Sequence, residues 1–551
     1  MIWRKLLRIL PCLLLLAGAP AWADVPARAG VGPALESLMA GEFALQSGDF
    51  ERAAALYEQA SLASPDPAVA ERATRIALMA NDLAMARRNL GRWQRRAPDS
   101  LDALGVAQQL VLAGRQAGSA QAQARALIKR EGGWRTLLGL LSQPVADDGT
   151  TARAALRAAI EDPAFPTGIE AGLAFTGLAR RLGETALARG LVDRLAAAHP
   201  DDARLSVAAA TLDREAGATA AARARLDRAL ALPLPPEVRR SLAGELQALG
   251  DPAAAAKVLA AAPQDDATYM LRAAWLYQAD DIPGLAELDR EIQASGLNPA
   301  RRLLLGRIAE VRSDWPAAER WYRSVDAGPE RDRARLRVAA VLERQGQGAA
   351  GANWLRGLQR DAALDGEALR DAYLFEAELW VRQDDDRQAL AAFARGLAIF
   401  EDDPVLLYGR AMQHVRRERV DAGLADLRRI LDVDADNPEA LNAYGYTLAE
   451  HKQRYAEALP YVEKSNRLRP GSAATLDSLG WIRLKLGEPQ RALPLLREAW
   501  SREQDAEIAA HLGEVLWLTG AQDEARTVWA RGRELDKDNK ALRAALEKYQ
   551  P

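Results

Sequence analysis

Residues 441–449 read Leu-Asn-Ala-Tyr-Gly-Tyr-Thr-Leu-Ala, residues 476–481 read Leu-Asp-Ser-Leu-Gly-Trp, and residues 510–517 read Ala-His-Leu-Gly-Glu-Val-Leu-Trp. These are three copies of one pattern. Their glycines, Gly445, Gly480 and Gly513, lie 35 and 33 residues apart. An alanine follows each glycine by 13, 12 and 12 residues, at Ala458, Ala492 and Ala525. Small residues at that offset mark the point where one helix crosses its partner too closely for a larger side chain. The period therefore describes a helix–turn–helix unit, with helix A carrying the glycine and helix B the alanine.

A period of 34 with these markers is the tetratricopeptide signature. It predicts an all-α fold, a tetratricopeptide-repeat solenoid of about 15 helix pairs in a right-handed superhelix, closed by a C-terminal capping helix. Toward the N-terminus the beat continues in weaker form. The first unit carries Gly41, Gly48, Ala53, Tyr57, Ala60 and Pro65, and a ninth carries Gly306, Ala318 and Tyr322. Proline at the end of a unit stops helix B and pre-sets the turn. The markers thin out over residues 101–166, most of all around residues 143–151, and residues 282–299 match loosely. The predicted organisation is a signal segment (residues 1–23), degenerate helical repeats (24–366), well-defined repeats (367–538), and a capping helix with the C-terminus (539–551).

Aromatic residues make up 6% of the 551 residues, and the formal net charge is −3. That balance offers no electrostatic reason to expect nucleic acid. Arg4, Lys5 and Arg8 followed by an apolar run and Ala21-Trp22-Ala23 form a secretory signal, with cleavage predicted after Ala23 and a periplasmic destination. That apolar run is too short to span a bilayer as a permanent helix, and no second run of spanning length is read in the sequence. The single cysteine, Cys12, precedes the leucine run rather than following it, which argues against a lipid anchor. Without it, disulfides, thiolate metal sites and cysteine nucleophiles are excluded.

Catalytic patterns are missing. The four histidines, His199, His414, His451 and His511, have no metal-binding spacing and read as surface or turn residues, with only His511 able to face a groove. Ser478 lies mid-helix, outside any nucleophile elbow. Asp384–Asp386 and Glu401–Asp403 read as solvated turns and helix N-caps. The chain reads as non-enzymatic, with no cofactor and no metal.

Helix A of each pair is expected to line the inner face. With the repeat glycine, or its alanine equivalent, as position 8, inward positions 2, 5, 9 and 12 hold Tyr408, Met412, Asn442, Tyr446, Trp481 and Trp517. Large apolar area with a polar handle suits protein recognition. Trp481 and Trp517 have an alternative use, filling gaps between adjacent A helices. Ala474 and Ser478 occupy positions where a carboxylate clamp would need lysine or asparagine, so binding of a partner's C-terminal carboxylate is not expected. The alanine-rich N-terminal repeats and the aromatic C-terminal ones are expected to bind different proteins.

The wording of 441–449, 476–481 and 510–517 resembles the LbcA-type family of proteobacterial envelope proteins, lipoprotein binding partners of a carboxy-terminal processing protease. The resemblance is confined to about residues 441–529, and the lipoprotein signal of that family is not present here. It implies a periplasmic adaptor that binds a processing serine protease and presents peptidoglycan hydrolases to it. The alternative is a scaffold component of an envelope assembly or exopolysaccharide secretion complex, whose exported repeat arrays have the same architecture.

Overall fold

The computed structural model describes residues 32–143 and 149–549. The signal segment, its cleavage site and Cys12 lie outside the described residues. Thirty-one helices and no strand occur among the described residues, in two contact units, Met1–Ala262 and Pro263–Pro551.

The first unit starts with α1 (Gly32–Gln46), α2 (Phe50–Ala63), α3 (Pro67–Met79) and α4 (Leu83–Arg96). Next come α5 (Leu101–Ala113), α6 (Ala117–Ile128), α7 (Gly133–Leu141) and α8 (Thr150–Ile160). It ends with α9 (Ile169–Arg181), α10 (Thr185–Ala198), α11 (Ala203–Glu215), α12 (Thr219–Leu230), α13 (Pro236–Ala248) and α14 (Pro252–Ala260). The second unit begins with α15 (Asp266–Gln278), α16 (Ile282–Ala294), α17 (Pro299–Val311), α18 (Trp315–Arg323), α19 (Arg331–Arg344) and α20 (Gly348–Leu358). It continues through α21 (Gly366–Arg382), α22 (Asp386–Leu397), α23 (Pro404–Arg416), α24 (Val420–Val433), α25 (Pro438–Lys452) and α26 (Tyr455–Leu468). Last are α27 (Ala473–Lys485), α28 (Pro489–Arg502), α29 (Ala506–Leu518), α30 (Gln522–Leu535) and α31 (Lys540–Tyr549).

The all-α tetratricopeptide-repeat architecture is the one observed. Apart from α7 and α8, neighbours pair as A and B helices, from α1 with α2 to α29 with α30, and within each unit a B helix packs on the next A helix. A helices also touch their successors, as α25 touches α27 and α27 touches α29. The A-to-B turns are made by a residue at positive φ. Glycine fills it at Gly48, Gly217 and Gly520, whereas Asp384, Glu418 and Gln453 adopt it with a side chain. Such a residue ends helix A in a left-handed turn and sends helix B back antiparallel.

The repeat glycines sit at the crossings, as their spacing implied. A Cβ added at Gly445 would lie 2.5 Å from Val462 Cγ2, and one at Gly480 would lie 2.5 Å from Leu496 Cγ. At Gly41 and Gly513 the added carbon would run into the rings of Tyr57 and Trp529. The crossing partner of Gly480 is thus Leu496, one turn beyond the alanine marker Ala492, which is itself fully buried. Apolar cores form locally along each unit rather than as one mass. Leu127, Leu156 and Phe175 centre one in the first unit, and Leu512, Val515 and Trp529 centre another in the second. Burying a leucine or valine side chain contributes roughly 1.5–3 kcal/mol, so each repeat is stabilised mainly by its own partner and its neighbours.

The region of thinned markers is irregular. α7 has only 9 residues, and α8 packs chiefly on α6, so α7 and α8 do not make a standard pair. The acidic runs behave as N-caps: Asp385 accepts a hydrogen bond from Gln388 N at 3.0 Å, and Asp403 accepts from Leu406 N at 2.9 Å. The last helix is the cap that the sequence implied. α31 lays Leu542 and Ala545 on α29, while Lys540, Arg543, Glu547 and Lys548 are exposed. Its end is tied down by Glu514, which accepts from Lys548 Nζ at 2.6 Å and from the Tyr549 hydroxyl at 2.9 Å.

Candidate partner-binding groove

Four successive A helices of the second unit, α23, α25, α27 and α29, line one groove of about 310 Å³. Tyr408, Met412 and Val415 come from α23, and Asn442, Ala443, Tyr446, Thr447 and His451 from α25. Ala474, Asp477 and Ser478 of α27 continue the floor. Glu503, Asp505, Glu507 and Ile508, at the turn into α29 and its first residues, close the far side. The common register explains the grouping, because positions 5 and 9 of each A helix project on one side, one helical turn apart.

Tyr408, Met412, Asn442 and Tyr446 therefore come together as the register predicts. Tyr408 is 36% exposed. Asn442 Oδ1 is buried and accepts no hydrogen bond among the described residues. Tyr446 donates its hydroxyl to Glu507, and burial followed by the charges of Glu507 and Glu450 holds the phenol well above its ordinary pKa. It is a neutral wall of the groove.

Trp481 and Trp517 do not line this groove. Trp481 occupies the same repeat position as Tyr446, but His511 of the next A helix stacks on it, with centroids 4.0 Å apart. Its indole N–H donates to Glu450 Oε2 at 2.9 Å, and Lys485 Nζ stands 3.7 Å from the ring centroid. Trp517 packs against Trp529 and Tyr549, at 5.7 and 5.8 Å, under the capping helix. Both are used to join repeats.

His511 corrects the sequence reading, which placed it at a surface or turn. It is 1% exposed and shares its Nδ1 with Asp477 Oδ1 at 2.9 Å. Burial disfavours the imidazolium, but Asp477, Glu507 and Glu450 outweigh burial and raise its pKa. Among the described residues, Asp477 is thereby the one groove carboxylate with an ionic partner. Of the remaining histidines, His199 is an exposed helix C-cap, as read; His451 lies in the last turn of α25 rather than in the turn beyond it and lines the groove, a place the sequence reading gave only to His511; and His414 is partly buried late in α23. Ser478 spends its hydroxyl on Ala474 O at 2.8 Å, inside a helix.

Selecting inward positions by aromatic character misses the acidic side of the groove. Asp477 and Glu507 stand at inward positions 5 and 2 of their repeats, so the period marks them as well. A further groove, of about 540 Å³, lies in the first unit on the A helices α9, α11 and α13. Leu173, Val207 and Val238 form its apolar part, and Arg204, Glu237 and Glu245 its charged part. No aromatic residue announces it in the sequence. Among the described residues, no group of three or more metal-ligating side chains occurs, and no helix is long and apolar enough to cross a membrane.

No family model matches the chain. It is 38% identical over 213 residues to the TPR repeat-containing protein PA4667 of Pseudomonas aeruginosa, a match covering 38% of this chain and 35% of that protein. The chain thus aligns with about a third of the length of this relative. Among solved structures, a tetratricopeptide repeat protein from Parabacteroides merdae matches at 13% identity and a TM-score of 0.36, covering 46% of this chain and 99% of the other. The Cut9–Hcn1 hetero-tetramer of the APC/C matches at 14% identity and a TM-score of 0.35, covering 94% and 96%.

Proposed function

We propose that this tetratricopeptide-repeat chain is a non-enzymatic adaptor of the bacterial periplasm. In this reading it binds a carboxy-terminal processing serine protease and presents cell-wall hydrolases to it. Tetratricopeptide-repeat proteins mediate protein–protein interaction, and the groove across α23 to α29 is the surface through which this chain does so. The observation that carries the reading is the convergence of Tyr408, Met412, Asn442 and Tyr446 from two successive A helices on one groove. An amide supplies one acceptor and two donors, which matches the alternating C=O and N–H groups of an extended peptide backbone. Tyr408 and Met412 beside it offer adaptable apolar area. The protease and hydrolase partners are supported by the resemblance of the C-terminal repeats to the envelope adaptor family.

The test is binding of purified processing protease and hydrolases to the full chain, set against the variant Tyr408→Ala plus Asn442→Ala. Both residues lie in the groove and make no hydrogen bond that holds the fold, so the variant should fold normally. Binding lost in the variant, with its helix content unchanged, is the expected result. Binding that survives moves the interaction to another surface. Association with components of a polymer-secretion complex instead of a protease would favour the scaffold alternative.

A further inference from the structure

We infer that the inward face of α17 and α19 binds an extended acidic segment of a partner protein, whose side-chain carboxylates engage Arg307 and Arg333. This face shares no residue with the groove across α23 to α29, so either surface can fail its test without the other. α17 and α19 carry eight arginines. Five are ion-paired: Arg301 to Asp266 at 2.6 Å, Arg302 to Asp326 at 3.5 Å, Arg331 and Arg335 to Asp361 at 3.3 and 2.7 Å, and Arg337 to Glu310. A sixth, Arg344, lies 5.9 Å from the Trp315 ring centroid. Arg307 and Arg333 are exposed and make no ion pair or side-chain hydrogen bond among the described residues. The two helices hold three carboxylates, and none is spare. Glu310 accepts from Tyr322 and Arg337, Asp332 stands 3.6 Å from Arg331 and from Arg335, and Glu343 is 2.7 Å from Arg382.

The repeat register puts the two unanswered cations on one side. With Gly306 and Ala339 as position 8, Arg307 holds position 9 of its repeat and Arg333 position 2 of the next, both inward. Arg337 holds position 6 beside Arg307, the relation His511 bears to Trp481. Burial, then the charges of Arg333 and Arg337, push the Arg307 pKa below its ordinary value. Guanidinium groups so placed repel one another, and a carboxylate bound between them relieves the repulsion through paired N–H donors. The surroundings favour a peptide over a small anion. A pocket of about 220 Å³ opens beside Arg337 between α19 and α21, with Leu336, Ala340, Phe375 and Leu379 as its apolar wall. The carboxylates at its rim, Glu343 and Glu378, stand 2.7 and 3.9 Å from Arg382. On the other side α15 exposes Met270 and Tyr277, which are inward positions 5 and 12 when Ala273 is position 8. Apolar anchors flanking a cationic strip suit a chain that sets carboxylates between apolar side chains. Adjacent A helices lie about 8–10 Å apart, so the face from α15 to α21 takes about eight extended residues.

The experiment is selection of a random peptide library on the full chain, followed by affinity measurements with end-blocked synthetic peptides, so that only side-chain carboxylates are offered. Peptides carrying aspartate or glutamate should be enriched. Exchanging those residues for asparagine and glutamine should weaken binding about tenfold or more. The same loss is expected when the acidic peptide meets the variant Arg307→Gln plus Arg333→Gln. That variant gives up no internal partner, so its melting temperature should not fall. Arg228→Gln plus Arg320→Gln removes two exposed arginines elsewhere, controls for net charge, and should bind normally. Acidic peptides that weaken equally on both variants, or on neither, would overturn the inference. Enrichment only of peptides without acidic residues, lost on Tyr408→Ala plus Asn442→Ala, would overturn it and leave the C-terminal groove reading standing. No enrichment of any peptide would overturn both.

Discussion

Gly445→Ala and Gly244→Ala are the same chemical change, and the structure assigns them opposite signs. In an exposed helix interior, replacing glycine by alanine stabilises by about 0.5–1 kcal/mol, because alanine loses less backbone entropy on folding. At Gly244 on α13 an added Cβ meets nothing within 4 Å, so that gain should appear nearly undiminished. At Gly445 the methyl would lie 2.5 Å from Val462 Cγ2, where ordinary contact begins at 3.4 Å, so about 0.9 Å must be found. Val462 is fully buried and, being β-branched in a helix, has one favoured rotamer. The Ala458 carbonyl oxygen, 3.1 Å away, moves only if α26 moves. Overpacking of this kind costs typically 1–3 kcal/mol, and the rigid neighbours put it near the upper end. Subtracting the intrinsic gain leaves a net destabilisation of about 2 kcal/mol, or roughly a 30-fold rise in local opening. Hydrogen exchange is the suitable assay, because the repeats open locally rather than as one cooperative whole. Amides of α25 and α26 should exchange roughly 30-fold faster in Gly445→Ala, and those of α13 and α14 slightly slower in Gly244→Ala. Unchanged exchange in α25 and α26 would refute the claim that the repeat glycine is set by the helix crossing.

Three further outcomes follow from buried polar groups. Glu376 is 0% exposed and accepts from Arg356 Nε at 2.7 Å, Arg395 at 2.6 Å and Gln359 at 2.7 Å. Glu376→Leu should cost about 3 kcal/mol, near the low end for a broken buried pair because both arginines keep some solvent access; equilibrium denaturation showing no loss would contradict this. His511 has a raised folded-state pKa, so its contribution is full below about 6.5 and fades as pH rises through the folded value. The stability gap between the native protein and His511→Gln should therefore shrink as pH rises above about 6.5 and through the folded value, and a gap that widens would reverse the assignment. Glu514→Ala removes the acceptor of Lys548 and Tyr549, so exchange in α31 should rise while α25 is unaffected; equal protection of α31 would show that Leu542 and Ala545 hold the cap unaided.

Much of this molecule can be read along the chain because a repeat makes distant contacts periodic. Gly445, Gly480 and Gly513 each face helix B of their own pair about half a period on, so spacing alone implies the crossing. The same frame brought Tyr408, Met412, Asn442 and Tyr446 to one side. It failed where a neighbour changed the use of a position. Trp481 is the repeat equivalent of Tyr446, yet it is buried because position 6 of the next repeat is His511, which lies flat on it. His511 looked like a surface residue because its acid, Asp477, is 34 residues away, one repeat earlier on an adjacent A helix.

The period by itself determined the helical pairs, their order, the small residues at crossings and the polar terminal helix, since each follows from contacts within a unit or with the next one. Only the tertiary structure decided which inward side chains remain available. Availability depends on what the neighbouring helix spends: a stacked ring removes Trp481, a shared proton removes Asp477, a cap removes Asp505, while Tyr408, Glu503 and the charge of Glu507 are left over. Hydrogen bonding and ion pairing saturate, so a residue type at a given position offers binding chemistry only when no partner across the helix interface has already used it.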